Sequence, residues 1–341
     1  MGAVMSEASY PPFIFSLLIS IPSIILYTVE VIILIGNKKN FRSAFFHIFI
    51  VRYIASFLGY FTSLFGLRLQ RVGLFRGFFE SLPSPVLGIL FFFNNYAYHT
   101  ENLLTMFLLV NRLTLMIFPL NHKKIWKYLF PITIIFTVII PLPFTVPTLA
   151  YNYFIRLQMD GWTFTIDYQK EVGVMYIRSV YVNAASGVLF CVICGLLNFL
   201  TIFFYRRNRK INLMSNVTLD DKIESRLTIY ALITFFVQFI SAIHTILIYI
   251  AANSIDYLYL STVNQSGWIS DISTIVVPSW FLLWASSGVK EAIYKAFKVH
   301  KWPLIGRSIN TNNNNTTTVV ANVWLSFVPG NSSHSSSTVR R

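Results

Sequence analysis

The residues best suited to chemistry are a few polar side chains that recur within one long apolar stretch. Wound at about 100° per residue, five of them fall within roughly 60° of one another: Asn94, Tyr98, Glu101, Thr105 and Arg112. An acid, a phenol, an amide and a hydroxyl on one face can hydrogen-bond a small molecule. A polar stripe on an otherwise apolar helix faces either a water-filled cavity or neighbouring helices. The pattern therefore predicts a cavity lining or a helix-packing stripe, and does not choose between them.

Two histidines bear on this candidate site. Glu101 lies roughly 25 Å from the inner end of its predicted helix, and His244 lies at a similar depth in a later stretch. A contact between Glu101 and His244 across a cavity is therefore geometrically allowed. His99 points away from the Glu101 face and is expected to pack against a neighbouring helix. The candidate ligand-binding residues are Asn94, Tyr98, Glu101, Thr105 and His244.

A second pair of charges lies within apolar stretches. Glu30 and Arg52 are about equally far from the inner ends of the first two stretches, which are joined by a short loop. Either charge alone in hydrocarbon would be costly. We therefore expect a structural ion pair between Glu30 and Arg52.

The composition indicates which elements must position these residues. Of 341 residues, 27 are Lys or Arg and 13 are Asp or Glu, so 12% are charged, whereas 55% are hydrophobic. An ordinary soluble chain is roughly 25% charged. So few charges could not cover a water-soluble surface, and so much apolar residue excludes disorder over most of the length. The chain is predicted to be an integral membrane protein.

Seven stretches are long and apolar enough to cross a bilayer as helices. They are continuous runs, whereas barrel strands alternate over about ten residues. The predicted fold class is therefore an all-α membrane protein, a seven-transmembrane helix bundle. The predicted spans are Phe13–Ile35, Phe45–Leu67, Val86–Phe118, Tyr128–Ala150, Val180–Phe204, Leu227–Ala252 and Ile272–Ser287.

The distribution of positive charge predicts the orientation. If the N-terminus is outside, 19 Lys and Arg fall in inner segments and six in outer ones: Arg68, Arg71, Arg76, Arg156, Lys170 and Arg178. The positive-inside rule favours this arrangement, with the C-terminus inside. Residues 1–12 are then extracellular, and residues 13–288 form the transmembrane domain. The first span follows no Lys or Arg and is longer than the apolar core of a signal peptide, so it is expected to be retained.

The segment after the seventh span has a helical apolar stripe. Its apolar positions are Val289, Ala292, Ile293, Ala296 and Phe297. Lysines flank the stripe, which predicts a juxtamembrane amphipathic helix within residues 289–307, either on the inner leaflet or simply solvated. Residues 308–341 are rich in Asn, Thr and Ser and are predicted to be a disordered cytoplasmic tail.

The loop after the fourth span alternates apolar and polar residues. Trp162, Phe164, Ile166 and Tyr168 are separated by Thr163, Thr165 and Asp167. Period-2 alternation predicts a strand or hairpin with its apolar face toward the bundle. It is either a lid over a ligand pocket or a loop resting on lipid headgroups, where Trp and Tyr are favoured.

Sequence signatures of enzymes and metal sites do not occur. The chain has no G-x-S-x-G, H-E-x-x-H or P-loop motif. Cys191 and Cys194 form a C-x-x-C within an apolar span and are predicted to be small packing residues rather than a redox or metal site. The six histidines have no zinc-type spacing. The sequence predicts a non-enzyme with no cofactor, no metal and no nucleic-acid partner.

The short motifs along the chain resemble one family of receptors. Asn111-Arg112, followed by Pro119, His122, Lys123 and Trp126, is similar to the run that closes the third helix in nematode serpentine receptor class gamma chemoreceptors. The segment Pro22–Tyr27 and the pair Asp271 and Pro278 also resemble that family. The likeness extends over about residues 13–300, in the layout of a G-protein-coupled receptor.

The resemblance implies a chemosensory receptor that couples a small extracellular ligand to a cytoplasmic heterotrimeric G protein. It implies a multi-pass plasma-membrane protein, in sensory cilia if the family pattern holds. By position, the G-protein-facing residues would be Arg112, Lys123, Lys124, Arg206 and Arg207. Basic residues beside a membrane also simply satisfy the positive-inside rule.

The chain departs from rhodopsin-like receptors in its activation motifs. Asn111-Arg112-Leu113 replaces Asp-Arg-Tyr, the sixth span has no proline, and the last span lacks Asn-Pro-x-x-Tyr. Both cysteines lie in the fifth span, so neither can bridge the third helix to an outer loop. Only Arg112 can be proposed, by position, as a switch residue.

Two other membrane classes are alternatives. A seven-helix ligand-gated ion channel of the odorant-receptor type would place its N-terminus inside, which the distribution of Lys and Arg opposes. A secondary transporter would favour broken helices in two repeated halves, and no such repeat is evident in the sequence.

Overall fold

The structure is a computed structural model that describes residues 9–37, 41, 43–158, 161–169, 179–212, 220–252 and 261–296. Most of the predicted extracellular N-terminus, the juxtamembrane segment from 297 to 307 and the predicted disordered tail, 308–341, lie outside these residues.

Seven long helices and one short helix make up most of the described chain. Each of the seven predicted spans coincides with a long helix, so the helical bundle is confirmed. The helices are α1 Tyr10–Gly36, α2 Ala44–Arg71, α3 Ser84–Ile117, α4 His122–Ala150, α5 Ser179–Asn212, α6 Asp220–Ala252, α7 Ser266–Ala285 and α8 Ser287–Ala296.

Six of these helices are long and apolar enough to cross a membrane by length and composition: α1, α2, α4, α5, α6 and α7. The helix α3 has 34 residues and is long enough, but its polar stripe lowers its hydropathy. It packs against α2 on one side and α5 on the other, so its polar groups are covered by protein. A helix that is shielded from lipid does not need to be uniformly apolar.

The core lies between the helices, and large apolar side chains also cover the outside. Tyr27, Phe49 and Leu104 are among the fully buried residues of the main core. Leu18 and Phe199 are among many large apolar side chains exposed on the bundle surface. Such a surface would be unstable in water and suits contact with lipid tails.

Three of the long helices are irregular. The helix α2 widens to a π-helical turn at Leu64–Arg68, and α7 does so at Ile272–Val276. The regular part of α4 ends at Ile139 and is followed by the short segments Leu142–Thr145 and Val146–Ala150. Prolines in that outer half remove backbone donors and restrict φ, which accounts for the irregular end of α4.

The loop after α4 folds into an antiparallel hairpin. Strand β1 is Asn152–Leu157 and strand β2 is Phe164–Gln169, with Ile155 opposite Ile166. The predicted hairpin is therefore confirmed. Phe164 and Ile166 point inward and are buried, but Trp162 is 77% exposed. Trp162 precedes β2, so the expectation that it shares the inward face is wrong.

The helix α8 begins two residues before the predicted juxtamembrane segment. Val289 is fully buried and seats the helix against the end of the bundle. Glu291 and Lys295 form an exposed i,i+4 ion pair on its outer side, and that lysine lowers the pKa of Glu291 through a hydrogen bond and charge attraction.

Candidate ligand cavity and cytoplasmic face

A large cavity lies in the bundle beneath the hairpin. Its volume is about 970 Å³, at the upper end of the range for small-molecule sites. Helices α2, α3, α5, α6 and α7 line it, with both strands of the hairpin. Its walls mix aromatic side chains with amides and charged groups. The lining residues closest to the end of the bundle opposite the hairpin on α2, α3, α5 and α6 are called the cavity floor below, and they are Arg52, Glu101, Asn102, Cys194, Phe235 and Gln238.

The cavity brings together four of the five candidate ligand-binding residues. Asn94, Tyr98, Glu101 and His244 all line it. Thr105 does not: it is buried one turn further in, where its hydroxyl donates to the backbone oxygen of Glu101 at 2.9 Å. Its polar group is satisfied within its own helix, which favours the helix-packing interpretation for Thr105.

The structure separates Glu101 from His244. A β-carbon built on Gly59 would lie 3.5 Å from Glu101 Oε1, so the carboxylate rests against α2 rather than α6. His244 instead donates from Nε2 to the backbone oxygen of Thr262 at 3.0 Å. His99 is buried with its ring 5.5 Å from that of Phe144 on α4, as expected for a packing residue.

The expected ion pair between Glu30 and Arg52 is not formed. Glu30 is fully buried in α1, and neither of its carboxylate oxygens has a hydrogen-bond partner. Arg52 turns to the cavity floor, where Nη2 donates to the backbone oxygen of Ser273 at 3.3 Å. Equal depth on neighbouring helices sets the height of two side chains but not the rotation of each helix, and rotation decides which groups meet.

A buried ion pair joins Arg68 of α2 to Asp271 of α7 instead. Arg68 Nη1 and Nη2 each lie 2.7 Å from an oxygen of Asp271, and both side chains are buried. Ser16 of α1 donates to Asp271 and accepts from Arg68. The prediction that Arg68 lies in an outer segment is therefore wrong, because α2 continues past it to Arg71. The sequence contained one signal for this pair, because Arg68 and Asp271 are opposite charges that border the same side of the second and seventh predicted spans.

Hydrogen bonds hold the hairpin over the cavity mouth. The Ile166 amide donates to Gln70 Oε1 at 3.2 Å, and the Tyr153 amide donates to Ser84 Oγ at 2.7 Å. The Tyr153 hydroxyl donates to the Thr148 oxygen at 2.8 Å. Burial raises the pKa of Tyr153, helped by Tyr151 beside it, so the phenol remains a neutral donor.

The two cysteines lie in the wall of α5 and are both free thiols. Cys194 is buried against Leu109 in a small apolar cluster, which agrees with a packing role. Within the described residues, no group of three or more His, Cys, Asp or Glu side chains could hold a metal ion.

At the end of the bundle opposite the hairpin, short-range contacts join α3 to α4. Asn111 Nδ2 and His122 Nε2 are 3.2 Å apart, and Trp126 Nε1 donates to Thr114 Oγ1 at 2.7 Å. These contacts use the same spaced residues, Asn, His and Trp, that carried the family resemblance. They hold the end of α3 against the start of α4.

The basic residues proposed for this face differ in exposure. The Arg112 guanidinium carbon lies 4.1 Å from the ring centroid of Phe45 on α2, and Arg112 is 5% exposed. Lys123 and Lys124 at the start of α4 are exposed, as are Arg206 and Arg207 in the inner part of α5. The described structure therefore has an exposed basic rim around a buried arginine.

Comparison with solved structures shows which fold the helices form. The fold resembles that in "Crystal structure of squid rhodopsin", with a TM-score of 0.61 over 86% of each chain at 12% sequence identity. No curated protein matches the chain. At that identity the likeness shows the fold alone, which is a helical bundle of the kind seen in squid rhodopsin.

The particular family is given by a family model. The model of the Srg family chemoreceptor matches residues 13–293, so the chain belongs to that family. The resemblance drawn from the sequence motifs is thereby confirmed, and the protein is a serpentine chemoreceptor. Family and fold imply a receptor rather than an enzyme, and they do not favour the ion-channel or transporter alternatives.

Proposed function

We propose that this chemoreceptor binds a small molecule in the cavity and passes the signal to a heterotrimeric G protein at the opposite end of the bundle. The observation that supports this most is the layout of α3. Its outer half places Asn94, Tyr98 and Glu101 at the cavity, and its inner end holds Arg112. One rigid helix thus connects the ligand site to the basic face.

The proposed orientation places the N-terminus outside and the C-terminus in the cytoplasm. The count of 19 inner Lys and Arg supports it, and the outer count falls from six to five because Arg68 is buried in α2. In this orientation the cavity opens outward and the basic rim faces inward. Residues Ser287–Ala296 would lie along the inner leaflet. The proposed location is the plasma membrane, in sensory cilia.

The hairpin is proposed to act as a lid. Its inner face covers the cavity mouth with Phe164 and Ile166, and a hydrogen bond from the Ile166 amide to Gln70 joins β2 to α2. A ligand that enters from outside would displace or pass this hairpin. Ligand binding would then favour one packing arrangement of the helices over another.

The G-protein surface is proposed to be Lys123, Lys124, Arg206 and Arg207, joined by Arg112 in the active state. The four outer residues are exposed already. Arg112 packs on Phe45 and is almost inaccessible, so it can contact a partner only after leaving that ring. This movement would couple the helix arrangement to G-protein binding.

The first experiment tests the orientation. An epitope at the N-terminus should be labelled on intact cells, and one after Arg341 should be labelled only after permeabilisation. The reverse result would contradict the receptor orientation and support a channel of the odorant-receptor type.

The second experiment tests the cavity and the coupling together. Cells that express the receptor with a panel of G proteins are screened with a small-molecule library. Gly187→Trp should abolish the response at unchanged surface level, because even a β-carbon there would lie 2.8 Å from the Tyr98 hydroxyl oxygen. Gly77→Trp is the matched control, since a β-carbon there meets nothing within 4 Å. Arg112→Ala should also abolish coupling. Ligand-evoked current without a G protein would contradict the proposal.

A further inference from the structure

The cavity floor contains two opposite charges that do not pair with each other. Arg52 is 2% exposed and Glu101 is 8% exposed, and both line the cavity. They attract each other electrostatically, yet no ion pair within 4.0 Å joins them among the described residues. Within the described residues, neither charge therefore has an oppositely charged side chain within 4.0 Å.

Arg52 has unused hydrogen-bonding capacity. A guanidinium carries five N–H donors. Nη2 donates to the Ser273 oxygen and the guanidinium lies beside the Tyr230 hydroxyl, whereas Nε and Nη1 have no partner that meets hydrogen-bond geometry. A buried cation with unmade hydrogen bonds is costly. An anionic group such as a carboxylate would satisfy it with the planar geometry that arginine prefers.

Glu101 on the neighbouring helix α3 provides the complementary charge in the same cavity. Its carboxylate rests against Gly59 and beside the Ser56 hydroxyl. Arg52, Ser56 and Gly59 lie on one face of α2, with a rise of about 6 Å from Arg52 to Ser56. Both charges therefore approach the same stretch of α2. A cationic group at Glu101 and an anionic group at Arg52 would face the same part of the cavity.

The other ionisable groups of the cavity wall already have partners. Arg68 pairs with Asp271, and Arg156 pairs with Asp167 at the hairpin. Arg71 donates to the Val263 oxygen, and His244 donates to the Thr262 oxygen. The charges that remain to select a ligand are those of Arg52 and Glu101.

We propose that the cavity recognises a small zwitterion of the α-amino-acid type, with its carboxylate on Arg52 and its ammonium on Glu101. This inference rests on the proposed ligand-binding function of the same cavity. A compound with one charge would satisfy one residue and leave the other unbalanced, so the pair discriminates against simple acids and simple amines. Aromatic side chains in the cavity wall would contact an apolar substituent: Tyr60, Phe91, Tyr98, Phe190 and Phe235.

The test compares matched compounds on the purified full chain in lipid nanodiscs. Each set holds a zwitterion and its two singly charged analogues, for example phenylalanine, phenethylamine and 3-phenylpropanoate, with equivalent sets built on tryptophan and 2-aminooctanoate. The measurement is the shift of the thermal unfolding midpoint with concentration. At least one zwitterion should bind more tightly than both of its analogues. If every zwitterion binds no better than its analogues, the proposal is wrong.

Variants then assign the two charged groups. Arg52→Gln and Glu101→Gln should each weaken zwitterion binding by about tenfold to a hundredfold, the range for a hydrogen bond to a charged group. Arg52→Lys should retain part of the affinity. The same exchanges at the exposed pair, Arg76→Gln and Glu80→Gln, are matched controls that should leave it unchanged. Each variant is compared with its own unliganded midpoint, and if one does not unfold cooperatively the wild-type compound sets alone decide.

Failure of this inference can be told apart from failure of the proposed function. If neutral or singly charged compounds bind and Gly187→Trp blocks them, the cavity is a ligand site but the zwitterion assignment is wrong. If agonists act equally on wild type and Gly187→Trp, the cavity is not the ligand site and both proposals are wrong.

Discussion

Arg68 and Asp271 form a doubly hydrogen-bonded ion pair that joins α2 to α7 beside the cavity. Both N···O distances are 2.7 Å, and both side chains are buried. The π-helical turn of α2 ends at Arg68, and that of α7 begins directly after Asp271. A π-helical turn changes the direction of the side chains that follow it. The pair therefore fixes the relation of three helices, because Ser16 of α1 bonds to both partners.

We predict that breaking this pair strongly destabilises the receptor. Arg68→Gln or Asp271→Asn should each cost about 3–5 kcal/mol, because each leaves a buried charge without its partner. The double variant should cost much less than the sum, because the partners were removed together. Thermal unfolding in detergent measures the three values and their coupling.

The exposed pair Arg76–Glu80 is the control for the buried one. Its members have the same N···O distance of 2.7 Å but are 40% and 46% exposed. Removing either member should change the free energy of unfolding by less than about 1 kcal/mol. Equal effects at the two pairs would show that burial does not govern the strength of the Arg68–Asp271 link.

Two glycines near the hairpin provide a second prediction. Gly73 and Gly161 both have φ near +70°, which costs other residues roughly 1–2 kcal/mol. A β-carbon on Gly73 would lie 2.9 Å from the Trp162 backbone oxygen, whereas one on Gly161 meets nothing within 4 Å. Gly73→Ala should therefore destabilise more than Gly161→Ala, by an additional ~1–3 kcal/mol for the overlap. Thermal unfolding of the two variants checks the difference, and equal losses would contradict it.

The seating of the hairpin is a third prediction. Gln70→Leu removes the acceptor of the Ile166 amide. Strand β2 should then separate from α2 more often and expose that amide to solvent. A buried amide that loses its partner costs about 1–3 kcal/mol, so exchange of that amide should be about tenfold to a hundredfold faster. Hydrogen exchange measured by mass spectrometry over residues 164–169 gives this rate. Gln169→Leu, at the exposed end of β2, should leave the exchange of Ile166 unchanged.

The periodic elements of this fold could be predicted from the sequence, because apolar length and alternation are local properties. The seven spans, the hairpin of Phe164 and Ile166 and the irregular outer half of α4 all follow from such patterns. The inward face of α3 also followed, because Asn94, Tyr98 and Glu101 recur at helical spacing. Their partners did not, because partners depend on how helices rotate against one another.

The charged residues show this limit most clearly. Glu30 and Arg52 match in depth, yet Arg52 faces the cavity and Glu30 is enclosed in the core. Arg68 lies near the end of an apolar run, and a run of hydropathy ends where charge begins, even when the helix continues. The two π-helical turns that bring Arg68 and Asp271 together have no sequence signature. Which charged residues form a pair can therefore be read only from the three-dimensional structure.

The contact between Arg112 and Phe45 leads to the last prediction. At 4.1 Å from the ring centroid, the guanidinium is held by a cation–π interaction worth about 1–2 kcal/mol when desolvated. Because Arg112 is 5% exposed, it cannot contact a G protein until it leaves the ring. Phe45→Leu should therefore favour the released state and raise ligand-independent G-protein activation by about fivefold to thirtyfold, the equivalent of that energy.

Phe46→Leu is the matched control for this effect. Phe46 is the next residue, its ring packs against Phe41 and Phe45, and its loss leaves the ring under Arg112 in place. Basal activation should be compared at equal surface level, and the double variant Phe45→Leu/Arg112→Ala should return to background. Unchanged basal activity in Phe45→Leu, or an equal rise in Phe46→Leu, would mean that release of Arg112 is not the step that permits coupling. A rise in basal activation that occurs only in Phe45→Leu would show that the contact between Phe45 and Arg112 holds the receptor in its inactive state.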